Sequence, residues 1–250
     1  MGVTIDGIRR PHWALPALLA AFAVALCAPA GAGAVSYAQG LDVSHYQGAI
    51  DWIQVASGGY TFVFAKATEG TTLVDPTYSI NRAGSDELGL RLGAYHFARP
   101  AGANAAGIAA SAIAQADFFV DTAQPAAGDL PPVLDMEEKG GLSAAALVEW
   151  TQAWVAEVYA RTGVNATVYA SPAFWKSALG DTTTVATAGS KLWIAHWTTN
   201  AKPTVPAADW GGFGWTFWQW TDCATIAGIA HCVDGDRLNG PDPAPFTIGV

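Results

Sequence analysis

Two acidic side chains, Asp135 and Glu137, stand two residues apart at the end of an apolar segment and could perform acid–base chemistry. In an extended strand, residues i and i+2 point to the same side, with Cα atoms roughly 6.6 Å apart. Carboxyl groups this close raise each other's pKa, so that one keeps its proton and can act as a general acid. A solvated acidic loop is the alternative for this D-x-E pattern, because Glu138 and Lys139 follow directly.

Other polar and aromatic residues follow the ends of further β-rich segments. In a parallel barrel the functional residues lie at the carboxyl ends of strands. Besides Asp135 and Glu137, those positions supply two more acids, Asp42 and Asp234, and a set of candidate substrate contacts: Tyr46, Lys66, Tyr95, Phe97, Tyr169, His196, Trp197 and Gln219. Four carboxylates rarely gather around a neutral or anionic small molecule, whereas hydrolysis of a glycosidic bond uses paired carboxylates. We therefore favour a catalytic pair over a solvated loop.

Two of these positions permit other interpretations. Lys66 and Glu69 could form a structural ion pair at the rim of the barrel instead of contacting a substrate. The histidines are not spaced as H-x-H or H-x-x-x-H, and a metal site needs several converging ligands. We expect neither a metal nor a cofactor.

The elements that must position these residues alternate between strand and helix. β-rich segments at 40–44, 60–67, 91–97, 132–136 and 165–170 are each followed by a helical segment, and helix-poor strands follow at 192–197, 215–220 and 232–236. This alternation predicts an α/β fold with a mainly parallel sheet and helices outside, and eight strands can close a barrel. An open doubly wound sheet is the alternative, although residues 43–47 are not the Gly-rich phosphate loop expected after its first strand.

Composition and the N-terminal segment limit the class of protein. With 51% hydrophobic and 13% charged residues the chain is not of the disordered class, and its net charge of −9 argues against nucleic acid as a partner. Residues 1–34 have the layout of a secretory signal peptide, in which Arg9 and Arg10 precede an apolar run and an A-x-A site ends at Ala34. The run is shorter than the ~20 residues that span a bilayer, and an uncleaved anchor is the alternative.

Secretion sets the expectations for the remaining chain, residues 35–250. We expect one catalytic domain, extracellular and monomeric, without stable membrane association after signal cleavage. Its two cysteines, Cys223 and Cys232, are close in sequence and should form a disulfide in an oxidising compartment. Two free thiols are the alternative.

Six sequence blocks between about Gly40 and Gly240 resemble glycoside hydrolase family 25, and they occur in the order found in that family. They are G-L-D-V-S-H-Y-Q-G (40–48), F-A-K-A-T-E-G-T-T (64–72), G-A-Y-H-F-A-R-P (93–100), P-V-L-D-M-E (132–137), L-W-I-A-H-W (192–197) and V-D-G-D-R-L-N-G (233–240). The resemblance implies an irregular TIM-like (β/α)₅(β)₃ barrel. It also implies a lysozyme that cleaves the β-1,4 bond between N-acetylmuramic acid and N-acetylglucosamine in peptidoglycan.

The resemblance also implies roles for individual residues. By motif match, Glu137 is the catalytic acid and Asp135 is its partner. Further residues complete the acidic centre (Asp42 and Asp234) or line the groove (Tyr95 and Tyr169). The reaction would retain anomeric configuration, with either Asp135 or the substrate's own 2-acetamido group as nucleophile, and we favour the second. The alternatives are a glycosidase for chitin-like N-acetyl sugars and a catalytically silent peptidoglycan-binding protein.

Overall fold

The computed structural model describes residues 1–2 and 36–249, so the predicted signal peptide lies outside the described residues apart from Met1 and Gly2. From residue 36 onward the secondary-structure elements are, in chain order, β1 (Gln39–Val43), α1 (Trp52–Ser57), β2 (Tyr60–Glu69), β3 (Leu73–Val74), α2 (Tyr78–Glu87), β4 (Arg91–Phe97), α3 (Ala105–Ala123), β5 (Val133–Asp135), α4 (Ala144–Thr162), β6 (Thr167–Ala170), α5 (Pro172–Leu179), α6 (Thr184–Thr187), β7 (Lys191–Ala195), α7 (Pro206–Gly211), β8 (Phe217–Ala224) and β9 (Val233–Leu238).

Eight of these strands close a barrel in the order β1, β2, β4, β5, β6, β7, β8 and β9, and β9 pairs back with β1. Neighbours from β1 to β8 are parallel, whereas β9 is antiparallel to both β8 and β1. The additional strand β3 forms a short hairpin on the end of β2. The predicted (β/α)₅(β)₃ barrel is therefore confirmed, and the open doubly wound sheet is wrong because β1 has a partner on each side.

Side chains alternate between the inside of the barrel and the helices that surround it. Along β2, Phe62 and Phe64 belong to the interior apolar cluster, whereas Val63 and Ala65 pack in the outer cluster with the helices. Lys66 is the next inward position, one step above Phe64. The interior is thus filled with aromatic rings in its lower part and presents polar side chains at the carboxyl ends of the parallel strands.

A glycine makes room for one of these interior rings. A Cβ atom on Gly93 would lie 2.5 Å from the ring of Phe64, which is far inside van der Waals contact. Phe64 in turn stacks on Trp193 of β7, with ring centroids 4.2 Å apart. These rings occupy the space below the polar mouth, so the functional side chains above them rest on a packed floor.

The helix α4 shows how the sequence encodes the outer layer. Ser143 caps its first turn by accepting a hydrogen bond from the backbone of Ala146, and Gly163 ends it in a left-handed conformation. Its buried face is formed by Leu147, Trp150, Thr151, Trp154 and Val158. The last connections are short, as expected: between β7 and β8 the chain forms only the one-turn α7, whose residues 207–210 are left-handed. No helix in the described residues is long and apolar enough to cross a bilayer.

Candidate active site

The predicted site residues meet at the mouth of the barrel. A cavity of about 200 Å³ there is lined by ten of them: Asp42, Tyr46, Lys66, Tyr95, Phe97, Asp135, Glu137, Tyr169, Gln219 and Asp234. The other two, His196 and Trp197, line an adjoining and more open cavity of about 630 Å³. Glu137 and Tyr169 line both cavities. All twelve therefore belong to one continuous cleft.

Asp135 and Glu137, which we call the β5 pair, face the cleft together as the D-x-E spacing predicts. Asp135 is the last residue of β5, and Met136 between the two acids is buried on the opposite side in the outer core. Glu137 lies just beyond the strand, which is shorter than predicted. Chain alternation continues there because the backbone N–H of Met136 still donates to the carbonyl of Tyr169 at 2.9 Å.

Burial and mutual repulsion raise the pKa of both members of the β5 pair. For Asp135 the burial is nearly complete, and its pKa lies well above the ordinary value because of desolvation and then the charge of Glu137. The pKa of Glu137 is also raised by burial, and a hydrogen bond from Tyr169 opposes that shift. Without substrate the proton therefore favours the more buried Asp135, and the pair titrates as a unit.

Lys66 places a positive charge beside the β5 pair. Its ammonium lies 2.6 Å from a carboxylate oxygen of Glu69 and 5.0 Å from the ring centre of Phe97, and its charge lowers the pKa of both Asp135 and Glu137. Glu69 is in turn bound by Arg99 at 2.6 Å. The predicted ion pair is confirmed, and Lys66 also lines the cleft, so the two interpretations of this residue are compatible.

A second set of carboxyl groups, which we call the β1–β9 cluster, comprises Asp42, Asp234 and Asp236. Asp42 and Asp234 are direct partners across the antiparallel β1–β9 pair. The expectation that Asp234 stands at the carboxyl end of a parallel strand is wrong. Because β9 runs in the opposite direction, its amino end reaches the mouth, and Asp234 is its second residue.

Sequence reasoning missed Asp236, although a signal for it was present. Asp234 and Asp236 are separated by one glycine in V-D-G-D-R-L, so on a strand both point to the same side. Asp236 is fully buried inside the barrel, and its Oδ1 accepts a hydrogen bond of 2.8 Å from the indole nitrogen of Trp193. The acidic centre therefore contains five carboxyl groups instead of the four that were predicted.

Gln219 connects the two sides of the cleft through its amide. Its Nε2 donates to Asp42 Oδ2 at 2.8 Å and to Asp234 Oδ2 at 3.2 Å. Its Oε1 accepts from the hydroxyl of Tyr169 at 3.0 Å and from the indole of Trp197 at 3.1 Å. The Tyr169 hydroxyl also reaches Glu137 and carries a single proton, so it can donate to one of these two acceptors at a time.

Burial dominates the electrostatics of the β1–β9 cluster. The pKa of Asp42 lies well above its ordinary value because of desolvation, followed by the charges of Asp236 and Asp234. Desolvation also raises the pKa of Asp236, and it raises that of Asp234 to about 6. These groups therefore bind protons more tightly than they would in water.

Aromatic rings form the outer walls of the cleft. Tyr46 is 75% exposed and packs on His45, whose Nδ1 lies 2.7 Å from the buried Asp75. On the opposite side Trp197 is 56% exposed and is joined by Phe174, which sequence reasoning did not single out. Exposed rings held in place by polar contacts suit the flat, apolar faces of sugar rings.

Cys223 and Cys232 form a disulfide in the structure, as predicted. The bond joins the end of β8 to the residue before β9, directly above Asp234. Within the described part of the chain, no three His, Cys, Asp or Glu side chains are arranged to hold a metal ion.

Comparison with known proteins gives consistent matches over most of this chain. Residues 41–229 match the sequence profile of "Glycosyl hydrolases family 25". Lysozyme M1 of Streptomyces globisporus is 38% identical over 220 residues, which cover 84% of this chain and 70% of that protein. The N,O-diacetylmuramidase of Arthroderma benhamiae is 34% identical over 230 residues, covering 86% and 91%. The crystal structure of a bacterial lysozyme from Streptomyces coelicolor aligns with a TM-score of 0.75 at 35% identity, covering 85% and 96%.

Proposed function

The chain belongs to glycosyl hydrolases family 25, and we propose that it is a secreted lysozyme that cleaves peptidoglycan between N-acetylmuramic acid and N-acetylglucosamine with retention of configuration. Lysozyme-type glycoside hydrolase activity on peptidoglycan follows from the family. The cleaved bond, the roles of the residues, the stereochemistry and the secretion are the parts that we propose.

The position of Glu137 at the junction of the two cavities carries the residue assignment. A general acid must reach the oxygen between the sugar that reacts and the sugar that leaves. Glu137 is the carboxyl group that lines both cavities, and it is less buried than Asp135. We therefore assign the acidic cavity to the sugar whose anomeric carbon reacts and the open cavity with Trp197 to the leaving sugar.

In the proposed mechanism, Glu137 protonates the glycosidic oxygen and the substrate's 2-acetamido oxygen attacks the anomeric carbon. Asp135, in its ionised form, orients the amide and stabilises the positive charge of the oxazolinium ion that forms. Substrate binding must therefore move the proton of the β5 pair from Asp135 to Glu137, and the adjacent charge of Lys66 supports the ionised form of Asp135. Water then opens the ring with Glu137 as the base. Asp42 and Asp234 would hold the sugar through charge and hydrogen bonds.

Secretion is supported by the residues at the N-terminus and by the disulfide. The basic pair, the apolar run and the A-x-A site of residues 1–34 remain a sequence-based proposal. A disulfide between Cys223 and Cys232 fits an oxidising compartment, since cytosolic reductants keep most thiols free. Sequencing the amino terminus of the protein recovered from culture medium tests this, and an intact residue 1 would contradict cleavage near Ala34.

Digestion of purified peptidoglycan with mass analysis of the new ends tests the function. We expect reducing N-acetylmuramic acid ends, and NMR of the earliest products should show the β-anomer. Purified chitin is the control substrate, because release from chitin instead of peptidoglycan would favour the glycosidase for chitin-like sugars. Binding to peptidoglycan without any new reducing end would support the catalytically silent alternative and overturn the proposal.

A further inference from the structure

Asp236 is a buried carboxyl group that the mechanism above does not use. None of its surface is exposed, and it points into the barrel two residues from Asp234. Its Oδ1 accepts from Trp193, but its Oδ2 has no hydrogen-bond partner among the described residues. A buried carboxylate oxygen without a donor is costly, so the surroundings of Asp236 should supply a proton.

The carboxyl group of Asp42 is the neighbour of Asp236 across the sheet. Asp236 pairs with Gly40 in the antiparallel β1–β9 register, which makes Asp42 its diagonal neighbour. Diagonal side chains on one face can reach each other, and these two carboxyl groups lie within hydrogen-bonding distance. Two carboxyl oxygens can form a hydrogen bond only when a proton lies between them.

The other groups around this pair do not neutralise it. The titratable groups that face the pair are Asp234 on the same strand, Tyr95 on β4 and Tyr169 on β6, and none of them is a cation. The contacts from β7 and β8 are neutral donors, Trp193 and Gln219. Two full negative charges at this depth would repel each other without compensation, whereas a shared proton leaves one charge on the pair.

We propose that Asp236 is a positioning residue that shares one proton with Asp42 and thereby fixes the orientation and charge of the Asp42 carboxyl group at the sugar-binding cavity. The shared proton directs one side of Asp42 towards Asp236, so that its Oδ2 stays on the amide of Gln219. The inference rests on the proposed glycosidase function, because Asp236 acts on the reaction only through Asp42.

Titration of the carboxyl groups tests the shared proton without any assay of activity. In protein labelled with ¹³C at the aspartate carboxyl carbons, the Asp42 resonance should keep its protonated shift well above the ordinary pKa. The Asp236→Asn variant keeps an acceptor for Trp193 and offers an N–H to Asp42, which favours the ionised form of Asp42. Its titration should then move down by about one pH unit or more. Asp135→Asn is the matched control and should leave the Asp42 titration in place.

Kinetics on soluble peptidoglycan fragments test the positioning role. Asp236→Asn should retain at least roughly a tenth of the wild-type kcat. Asp236→Leu fills a similar volume but cannot bond to Trp193 or Asp42, so its kcat should fall at least about tenfold further with little change in KM.

Two results would overturn the proposal: an Asp42 titration that is the same in Asp236→Asn and wild type, or equal kcat values for the Leu and Asn variants. If Asp236→Leu does not fold, the Asn titration decides alone. Failure of wild-type protein to cleave peptidoglycan would instead overturn the proposed function and leave the titration result standing.

Discussion

The β5 pair and the β1–β9 cluster stand on opposite sides of one cleft and balance their negative charge in different ways. Asp135 and Glu137 have the ammonium of Lys66 nearby, and Glu137 opens onto the larger cavity. Asp42 and Asp236 are enclosed and receive hydrogen bonds from neutral amide and indole donors. A group near a cation and solvent can change its protonation during a reaction, whereas an enclosed group without a cation retains its proton.

This difference indicates a division of labour. The β5 pair is suited to transfer a proton and to carry charge in the transition state, and the β1–β9 cluster is suited to hold the sugar in a constant field. Changes to the β5 pair should therefore affect the chemical step most, and changes beside the other cluster should act more weakly.

The largest expected effect is that of Glu137→Gln, which removes the proton donor and keeps the shape of the side chain. We expect the rate of wall lysis to fall by about 10²–10⁴-fold with the melting temperature preserved, because general acid catalysis typically contributes that much. Turbidity clearing of bacterial walls and thermal unfolding provide the measurements. Near-normal lysis would remove Glu137 from the chemistry and with it the distinction between the two sides.

The next largest effect should come from Asp135→Asn. The amide can still orient the acetamido group by hydrogen bonding, but it lacks the charge that stabilises the oxazolinium ion. We expect a loss of roughly 10²-fold in kcat with substrate binding largely kept. Binding measured by calorimetry and single-turnover rates separate these two quantities, and a large rise in KM alone would contradict the assignment.

Azide separates the two possible nucleophiles in Asp135→Ala. If Asp135 attacked carbon directly, azide would take its place and give a glycosyl azide of inverted configuration. With the acetamido group still guarding that face, we expect no inverted azide product. Mass spectrometry and NMR of the products decide, and detection of that azide would assign the attack to Asp135 while leaving the fold and the muramidase assignment unchanged.

Lys66→Met should produce a smaller effect that is confined to the β5 pair. Lys66 favours the ionised forms of Asp135 and Glu137, so its removal raises the pKa of both. Because Asp135 must be ionised and Glu137 protonated, both limbs of the pH–rate profile should move to higher pH, by about one unit at most. The charge-retaining Lys66→Arg variant is the control and should keep the wild-type profile. An equal shift in both variants would contradict an effect of charge.

Cys223→Ser should have the smallest effect on activity and a clear effect on stability. The bridge closes a short loop above Asp234 and touches no reacting group, and such loops contribute about 2–3 kcal/mol in the chain-entropy model. For a domain of this size the melting temperature should fall by roughly 5–10 °C. Calorimetry and kcat under reducing and oxidising conditions measure both effects. A loss of activity as large as that of Asp135→Asn would show that the β1–β9 cluster depends on the bridge.

The sequence by itself determined the parts of this protein that depend on local pattern. The D-x-E spacing placed Asp135 and Glu137 on one side of the chain, since side chains alternate along an extended segment whatever surrounds it. The order of strands and helices predicted the number of barrel strands, and Ser143 and Gly163 marked the ends of α4. These features arise from contacts within a few residues, and neighbouring letters are enough to read them.

Only the tertiary structure decided how the two sides of the cleft are joined. Gln219 binds Asp42 across 177 positions of sequence, and no local period encodes such a bond. The antiparallel direction of β9 brought Asp234 to the mouth from the amino end of its strand and buried Asp236 beneath it. Burial, in turn, sets which carboxyl groups keep their protons, because desolvation depends on every strand that surrounds the group and not on its own neighbours in sequence.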